Sequence, residues 1–534
     1  MMKPVFGSTM QGLTLSWLAE RNAYKFPEKE AIVLTPVEGG RTAITNATFD
    51  KRINQVANGL RRRGIERGDN VAVYTVNSIP TLEMYLGAMR IGALPVPINH
   101  RFQADEVRYV LEDSNAELLF FDDHAVDIVD EISTDPAMPD ETLFYGKDRP
   151  DYADDYVDFR EQSGTNSIEI VSSRVDEAML MYTSGTTGDP KGCLLTHDNI
   201  IQMTVNGIVE KALEGRDVNV DGRGLIVTPL FHIAAFGMFV NNYYAGATTV
   251  LMDGFEPNRV MDVIEEEAVT AGFFVPMMAR ALLAVDGFED YDLSAFEEFG
   301  IGAAPSGREL KETISEAFDA DLQEAFGQTE MAPTTTLLQP SQALDHPDSV
   351  GKPVLNVLFK VIDPKTREEV EPGEIGQVCY RGPTMFNGYY GMPERTEETF
   401  DDEGFFVSGD LVRQDEDGFV EFVGRADNMI ITGGENVYPA EIEETLHEHP
   451  AVDEVAIVGT PDDTWGERIK AAIVPIDGGE PSADELQRYV GERLADYKKP
   501  REFVFLESLP RNPTGKVLKA PLEDEAGEMV GWES

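Results

Sequence analysis

MLMYTSGTTGDPKGC, residues Met179–Cys193, runs an apolar stretch into a turn of small residues and a lysine. Met179–Tyr182 has the character of a buried strand. Hydroxyls and glycines then fill Thr183 to Gly188, and Pro190, Lys191 and Gly192 follow. Such a loop can wrap an anion with amides and hydroxyls while an ammonium neutralises its charge. It is not a Walker A loop. Gly185 and Gly188 are too closely spaced, and Gly192 stands where a Mg2+-binding Ser or Thr would follow the lysine. A metal accompanying the phosphates must be held elsewhere.

On either side of this loop the chain alternates helical and strand patterns. Phe49–Arg63 predicts an amphipathic helix, Val71–Thr75 a strand, Ile79–Ile91 a helix and Ala93–Asn99 a strand. Similar series begin near Glu177 and around Thr270–Glu330. Short apolar runs separated by helices predict buried parallel strands, hence an α/β fold. From about Gly351 the texture changes to short strands with turn signals, which predicts an antiparallel, barrel-like region. After Asp427, helices (Tyr438–His449, Ser482–Leu494) mix with strands in a compact segment. The acidic stretch Asp135–Ser167 reads as an exposed loop region.

The 534 residues carry 44 Lys+Arg against 97 Asp+Glu, a formal charge of −53. That field excludes nucleic acid or an anionic membrane as a partner of a general basic surface. With 42% hydrophobic residues and dispersed acids, the chain is globular rather than disordered. Sixteen of the basic residues are Lys and 28 are Arg. Many carboxylates with few lysines suit a salt-filled cytoplasm, where the Debye length falls to ~3 Å at 1 M. A halophilic, cytoplasmic protein is the expectation. Cys193 and Cys379 read as small core residues. No Asp, Glu, Lys or Arg occurs between Arg223 and Asp253. Pro229, His232, Asn241 and Asn242 interrupt that run, so a buried strand, loop and helix are expected rather than a membrane span.

TSGTTGDPKG resembles the phosphate loop of the adenylate-forming superfamily, which contains acyl-CoA synthetases, peptide-synthetase adenylation domains and beetle luciferases. Further motifs follow in that family's order: GAAPSG (Gly302–Gly307), FGQTE (Phe326–Glu330), FVSGD (Phe406–Asp410), GRADNMIITGGENVYPAEIE (Gly424–Glu443) and PRNPTGKV (Pro510–Val517). The resemblance implies a large N-terminal domain, residues 1–424, of two αβ subdomains plus a small β-barrel (about 351–424). A hinge at 425–427, centred on Asp427, and a small mobile α+β domain, 428–534, would follow.

The resemblance also implies roles. Thr183, Ser184, Gly185, Thr186, Thr187, Gly188 and Lys191 would bind ATP phosphates, with Thr183 and Lys191 in the catalytic set. Gly302, Ala303, Ala304, Phe326, Gly327, Gln328 and Thr329 would surround the nucleotide, Phe326 against adenine. Glu330 would hold Mg2+, which usually takes one or two carboxylates plus phosphate oxygens. Asp410 would accept the ribose hydroxyls, and Arg425 would lie by the ribose or phosphate. Lys516, in a chain poor in lysine, would bridge the attacking carboxylate and the α-phosphate as charge redistributes. Gly433, Gly434 and Glu435 would line the path for CoA. His232, in TPLFHIAAFG, would sit near the acid in a positioning role.

Within the family, GGENVYPAEIE and DDTWGE (Asp462–Glu467) resemble stand-alone CoA ligases. A peptide-synthetase module would continue into a carrier domain, whereas this sequence stops at Ser534. The expected acyl pocket comprises His232, Ala235, Phe236, Gly237, Met277 and Met331. These are apolar with adaptable Met packing, and suit a medium- or long-chain fatty acid. An aryl or cyclic acid is the alternative. An acyl-AMP ligase loading a carrier protein, or a nucleotide-binding scaffold without ligase activity, is the alternative of another kind.

The charge makes one prediction. In a KCl titration followed by circular dichroism and AMP release, folding and activity should rise together with salt. Full folding and turnover at low ionic strength would refute the halophilic reading.

Overall fold

The computed structural model describes residues 13–168, 172–183, 190–304, 306–432, 435–462, 465–476, 478–479, 481–511 and 517–523. The chain divides into two units. The first comprises Met1–Phe359, Tyr380–Phe406 and Gly418–Val420. The second comprises Lys360–Cys379, Val407–Asp417 and Glu421–Ser534.

The first unit contains a nine-stranded sheet and a five-stranded sheet. In the nine-stranded sheet, Asp321–Gly327, Glu298–Gly302, Ala271–Phe274, Arg223–Ile226, Thr248–Leu251 and Glu30–Leu34 are parallel neighbours in that order. Antiparallel strands extend both sides, Thr334–Leu338 at one and Thr42–Thr45 at the other. The five-stranded sheet is wholly parallel, in the order Leu94–Pro97, Asn70–Tyr74, Ala116–Asp122, Glu141–Tyr145 and Asp154–Asp155. The expected strands at 71–75 and 93–99 and the helix at 79–91 all form.

Local chemistry sets the helix ends. Ser78 accepts from Thr81 N at the start of Ile79–Ile91, and Gly92 closes it in the left-handed conformation at φ 80°. That helix is buried on every side, which explains its apolar composition all round. The uncharged run between Arg223 and Asp253 becomes the strand Arg223–Ile226, a loop, the helix Ile233–Ala245 and the strand Thr248–Leu251. No described helix is long and apolar enough to cross a membrane.

The loop expected over Asp135–Ser167 is overturned. Glu141–Tyr145 joins the parallel sheet with Leu143 and Phe144 fully buried, and a helix spans Tyr156–Glu161. The acids Asp140, Asp148, Asp151 and Asp154 face solvent, so charge content masked an ordered segment. What anchors it is Glu83, fully buried on the Ile79–Ile91 helix. Its carboxylate accepts from Tyr156 Oη at 2.7 Å, Arg160 Nη1 at 3.1 Å and Arg52 Nη1 at 3.1 Å.

The second unit holds a C-terminal sheet in the order Glu435–Val437, Ile430–Thr432, Gly466–Pro475 and Val452–Asp462, with Glu502–Phe505 parallel to Gly466–Pro475. The helices Pro439–His447 and Ala483–Gly491 pack on its apolar face through Ile442, Leu446, Leu486 and Val490. Most of a four-stranded sheet, in the order Leu358–Ile362, Ile375–Arg381, Phe406–Gln414 and Val420–Arg425, also lies here. It forms where short strands were expected.

Glu83→Ala strands buried Arg160 beside a cavity. A loss of about 3–5 kcal/mol is expected for breaking a buried pair this way. Urea unfolding should show it as a lowered midpoint, with proteolysis starting within 135–167.

Candidate active site

Parallel pairing brings separate motifs to one edge of the nine-stranded sheet. Glu298–Gly302 and Asp321–Gly327 are in register with Gly302 opposite Ala325, so GAAPSG and FGQTE leave the sheet side by side. The strand Arg223–Ile226 ends at the same edge and leads into the loop carrying His232. It is also where strand order reverses, because the chain passes next to Thr248–Leu251 on one side and then Ala271–Phe274 on the other. Crevices at such reversals are the usual ligand sites of open α/β sheets.

The Gly302–Ala304 turn is strained and supported from behind. Ala303 adopts φ 67°, a left-handed conformation costing an L-residue roughly 1–2 kcal/mol. Ser306 Oγ donates to Glu324 Oε1 at 2.9 Å, and Glu324 pairs at 2.5 Å with buried Lys311. Lys311 Nζ donates in turn to Ser349 O at 3.0 Å. Phe326, Gly327, Gln328 and Thr329 are all half-buried, and Thr335 Oγ1 donates to Phe326 O at 3.0 Å.

The glycine loop closes a hairpin between Glu177–Thr183 and Lys191–Thr196, with Thr183 opposite Lys191. It leads into a strand, so no helix N-terminus follows it as in a Walker A loop. Ser184, Gly185, Thr186, Thr187 and Gly188 lie outside the described residues. Glu330, in the turn Thr329–Met331, is buried, and its Oε1 accepts from Tyr389 Oη at 2.9 Å. The Lys191 ammonium stands 5.3 Å from the centre of the Tyr389 ring. Cys193 is fully buried, and burial together with the Glu330 charge holds its thiol protonated.

Mg2+ fits this arrangement. Among the described residues no group of three or more His, Cys, Asp or Glu side chains is placed to cage a metal ion. A single buried carboxylate, that of Glu330, suits an ion that takes most of its ligands from phosphate oxygens and water.

In the second unit, Asp410 lies buried on the strand Phe406–Gln414, and its backbone N donates to Ser408 Oγ at 3.0 Å. Arg425 Nη1 pairs with Asp410 Oδ1 at 3.1 Å. Gly409 leaves room for this pair, since a Cβ there would fall 2.4 Å from Arg425 Nη2. Gly433, Gly434 and Lys516, and the side chains of Asp427 and Glu435, lie outside the described residues.

His232 precedes the helix Ile233–Ala245, its ring 4.3 Å from that of Phe231. The residue is half-buried. Desolvation, helped by the Arg101 charge, pushes its pKa down to about 4. His100 packs at 5.2 Å on Phe231 and at 5.3 Å on His124, and is likewise pushed down to about 4 by burial and neighbouring positive charge. Arg101 and His100, from the loop after Leu94–Pro97, were not anticipated, and no spacing in the sequence links them to His232. Tyr389 was missed for the same reason.

The expected acyl residues separate into groups. Ala235, Gly237 and Met331 are buried, and a Cβ on Gly237 would meet Met203 Cε at 2.6 Å and Pro333 Cδ at 4.0 Å. Phe236 is fully buried, its ring against Tyr85 at 5.7 Å and Phe239 at 6.0 Å, and is therefore a core residue. Met277 is 62% exposed on the first turn of Pro276–Leu283.

Fold and motifs together define an enzyme that activates carboxylic acids with ATP. Residues 19–390 match the AMP-binding enzyme family and residues 441–516 match the AMP-binding enzyme C-terminal domain. The chain belongs to the AMP-binding enzyme family. It is 36% identical over 496 residues to a feruloyl-CoA synthase from Amycolatopsis sp, covering 92% of this chain and 96% of the relative. It is 33% identical over 519 residues to a long-chain-fatty-acid–CoA ligase of Mycobacterium tuberculosis, covering 97% and 99%. The crystal structure of ATP-bound MatB from Rhodopseudomonas palustris superposes with a TM-score of 0.85 at 29% identity, covering 96% of this chain and 98% of that one. The protein is an AMP-forming acyl-CoA ligase that uses ATP, Mg2+ and CoA.

The histidines predict an acid limb. His100 and His232 are pushed down to about 4 from 6.5, so the unfolded chain binds their protons more tightly. Stability is then full above about 6.5 and falls as pH drops towards 4. His232→Gln should shift the midpoint of acid unfolding, followed by circular dichroism, to lower pH.

Proposed function

We propose that the acid is a monocarboxylate with an apolar body, a medium- or long-chain fatty acid, activated in a salt-rich cytoplasm. The observation carrying the chemistry is the meeting of Lys191, Glu330 and Tyr389, which come from three separate segments, within hydrogen-bonding and cation–π range. The small and apolar residues Ala235, Gly237 and Met331 support the acyl part of the reading, and Phe236 and Met277 drop out of it. The 36% identity to a feruloyl-CoA synthase favours an aryl or cyclic acid as the second reading.

The substrate carboxylate attacks the α-phosphorus of ATP. Pyrophosphate leaves and an acyl-adenylate remains. The CoA thiol then attacks the acyl carbon, forming the thioester and releasing AMP. The first step asks mainly for positioning and charge neutralisation. Lys191 and the glycine loop hold the β- and γ-phosphates. Glu330 would hold Mg2+, which would supply positive charge at the pyrophosphate. Lys516 spans the carboxylate and the α-phosphate, where negative charge shifts in the transition state. Asp410 accepts the ribose hydroxyls, with Arg425 fixing its carboxylate. His232, neutral at working pH, orients the acid by contact and transfers no proton, because the acid reacts as a carboxylate. Asp427 is the hinge for 428–534, which supplies Lys516 for the first step and Gly433, Gly434 and Glu435 for CoA.

A panel of acids assayed for AMP release with and without CoA tests the reading. Fatty acids should give the highest kcat/KM and CoA should accelerate release. Preference for aryl acids would favour the second reading, and acid-dependent AMP release that CoA does not accelerate would favour an acyl-AMP ligase. In the same assay, Lys516→Ala should lose acid-dependent pyrophosphate exchange by orders of magnitude while still converting supplied acyl-adenylate to thioester. Equal loss of both half-reactions would refute the role of Lys516.

A further inference from the structure

We propose that Tyr389 is a positioning residue for adenylation: its hydroxyl sets the plane of the Glu330 carboxylate for Mg2+, and its ring carries the ammonium of Lys191. The proposal rests on the reading of Glu330 as the magnesium carboxylate.

Tyr389 arrives by a route unrelated to the two groups it joins. Gly388–Tyr389 is a two-residue strand clipped antiparallel to Lys191–Thr196, with Tyr389 opposite Cys193 and Gly388 opposite Leu194. The clip needs glycine. Gly388 adopts φ 134°, and a Cβ there would fall 2.7 Å from Thr396 Cγ2. Tyr389 N donates to Thr396 Oγ1 at 2.9 Å, which fixes the backbone. The same segment grips Glu330 twice. Phe386 N donates to Glu330 O at 2.8 Å, and Tyr389 Oη donates to Glu330 Oε1 at 2.9 Å. The Phe386 ring packs edge-on against Tyr389 at 5.0 Å.

The phenol sits as a buried donor: Tyr389 is 8% exposed, and its hydroxyl reaches the Glu330 carboxylate at 2.9 Å. A donor locked onto one carboxylate oxygen fixes the orientation of the group, the role that outer-shell partners of metal ligands usually fill. Lys191 lies over the ring of the same residue, so one side chain sets the spacing between the cation for the phosphates and the carboxylate for the metal. A one-residue register slip of Gly388–Tyr389 would put Gly388 opposite Cys193 and disconnect both.

The test uses the full-length protein with Mn2+ as the metal probe, α,β-methylene ATP as the nucleotide, and bound Mn2+ read by electron paramagnetic resonance. Tyr389→Phe keeps the ring and removes the hydroxyl. About tenfold weaker Mn2+ binding is expected, at the low end of the effect of removing an outer-shell partner, with an unchanged melting midpoint. The double variant with Glu330→Gln should bind no more weakly than Glu330→Gln alone, because the two act as a unit. Phe386→Leu is the packing control, and equal weakening there would overturn the proposal. Unchanged Mn2+ affinity in Tyr389→Phe, with weakening in Glu330→Gln, would also overturn it and leave the reading of Glu330 intact. Unchanged affinity in Glu330→Gln would instead remove that reading and the proposal with it.

Discussion

Parallel pairing of Arg223–Ile226, Ala271–Phe274, Glu298–Gly302 and Asp321–Gly327 is the constraint on which the site depends. Strands that run the same way must release their following loops at the same edge. Three motifs scattered over about a hundred residues are therefore delivered to one edge together. The reversal of strand order beside Arg223–Ile226 opens the edge at the loop that holds His232. A mixed arrangement of the same strands would send half of these loops to the far side.

The site then solves a charge problem set by the rest of the molecule. A formal charge of −53 opposes ATP, pyrophosphate and CoA alike. Binding must rest on a few cations placed by the fold, not on the surface as a whole. Lys191 is positioned by its hairpin and by the Tyr389 ring, and Arg425 by Asp410. Deeper in the first unit, Glu83 with Arg52 and Arg160, and Lys311 with Glu324, spend paired charges on holding segments together. Acidity describes the surface, and these fixed pairs describe the interior.

Much of the fold was legible. The helix at 79–91 and the strands at 71–75 and 93–99 follow from the alternation of apolar runs of helix and strand length, because local energetics and burial agree there. The stretch 135–167 was misread because its acids dominate the composition while Leu143, Phe144 and Tyr156 do the packing. Phe236 and Met277 were grouped as pocket residues since apolar character looks the same in a core, in a pocket and on a surface. The structure separates them by what surrounds them.

The sequence by itself determined the chemistry of this protein. Small residues and a lysine at 183–192, a Thr-Glu pair at 329–330 and Ser-Gly-Asp at 408–410 are each contiguous in the chain, so they stand as readable strings. Tertiary structure alone decided which side chains hold those strings in place. Tyr389 meets Glu330 from 59 residues away, and the charge of Arg101 acts on His232 across more than a hundred. Such contacts depend on strand register and side-chain direction, and neither leaves a periodic trace in the order of residues.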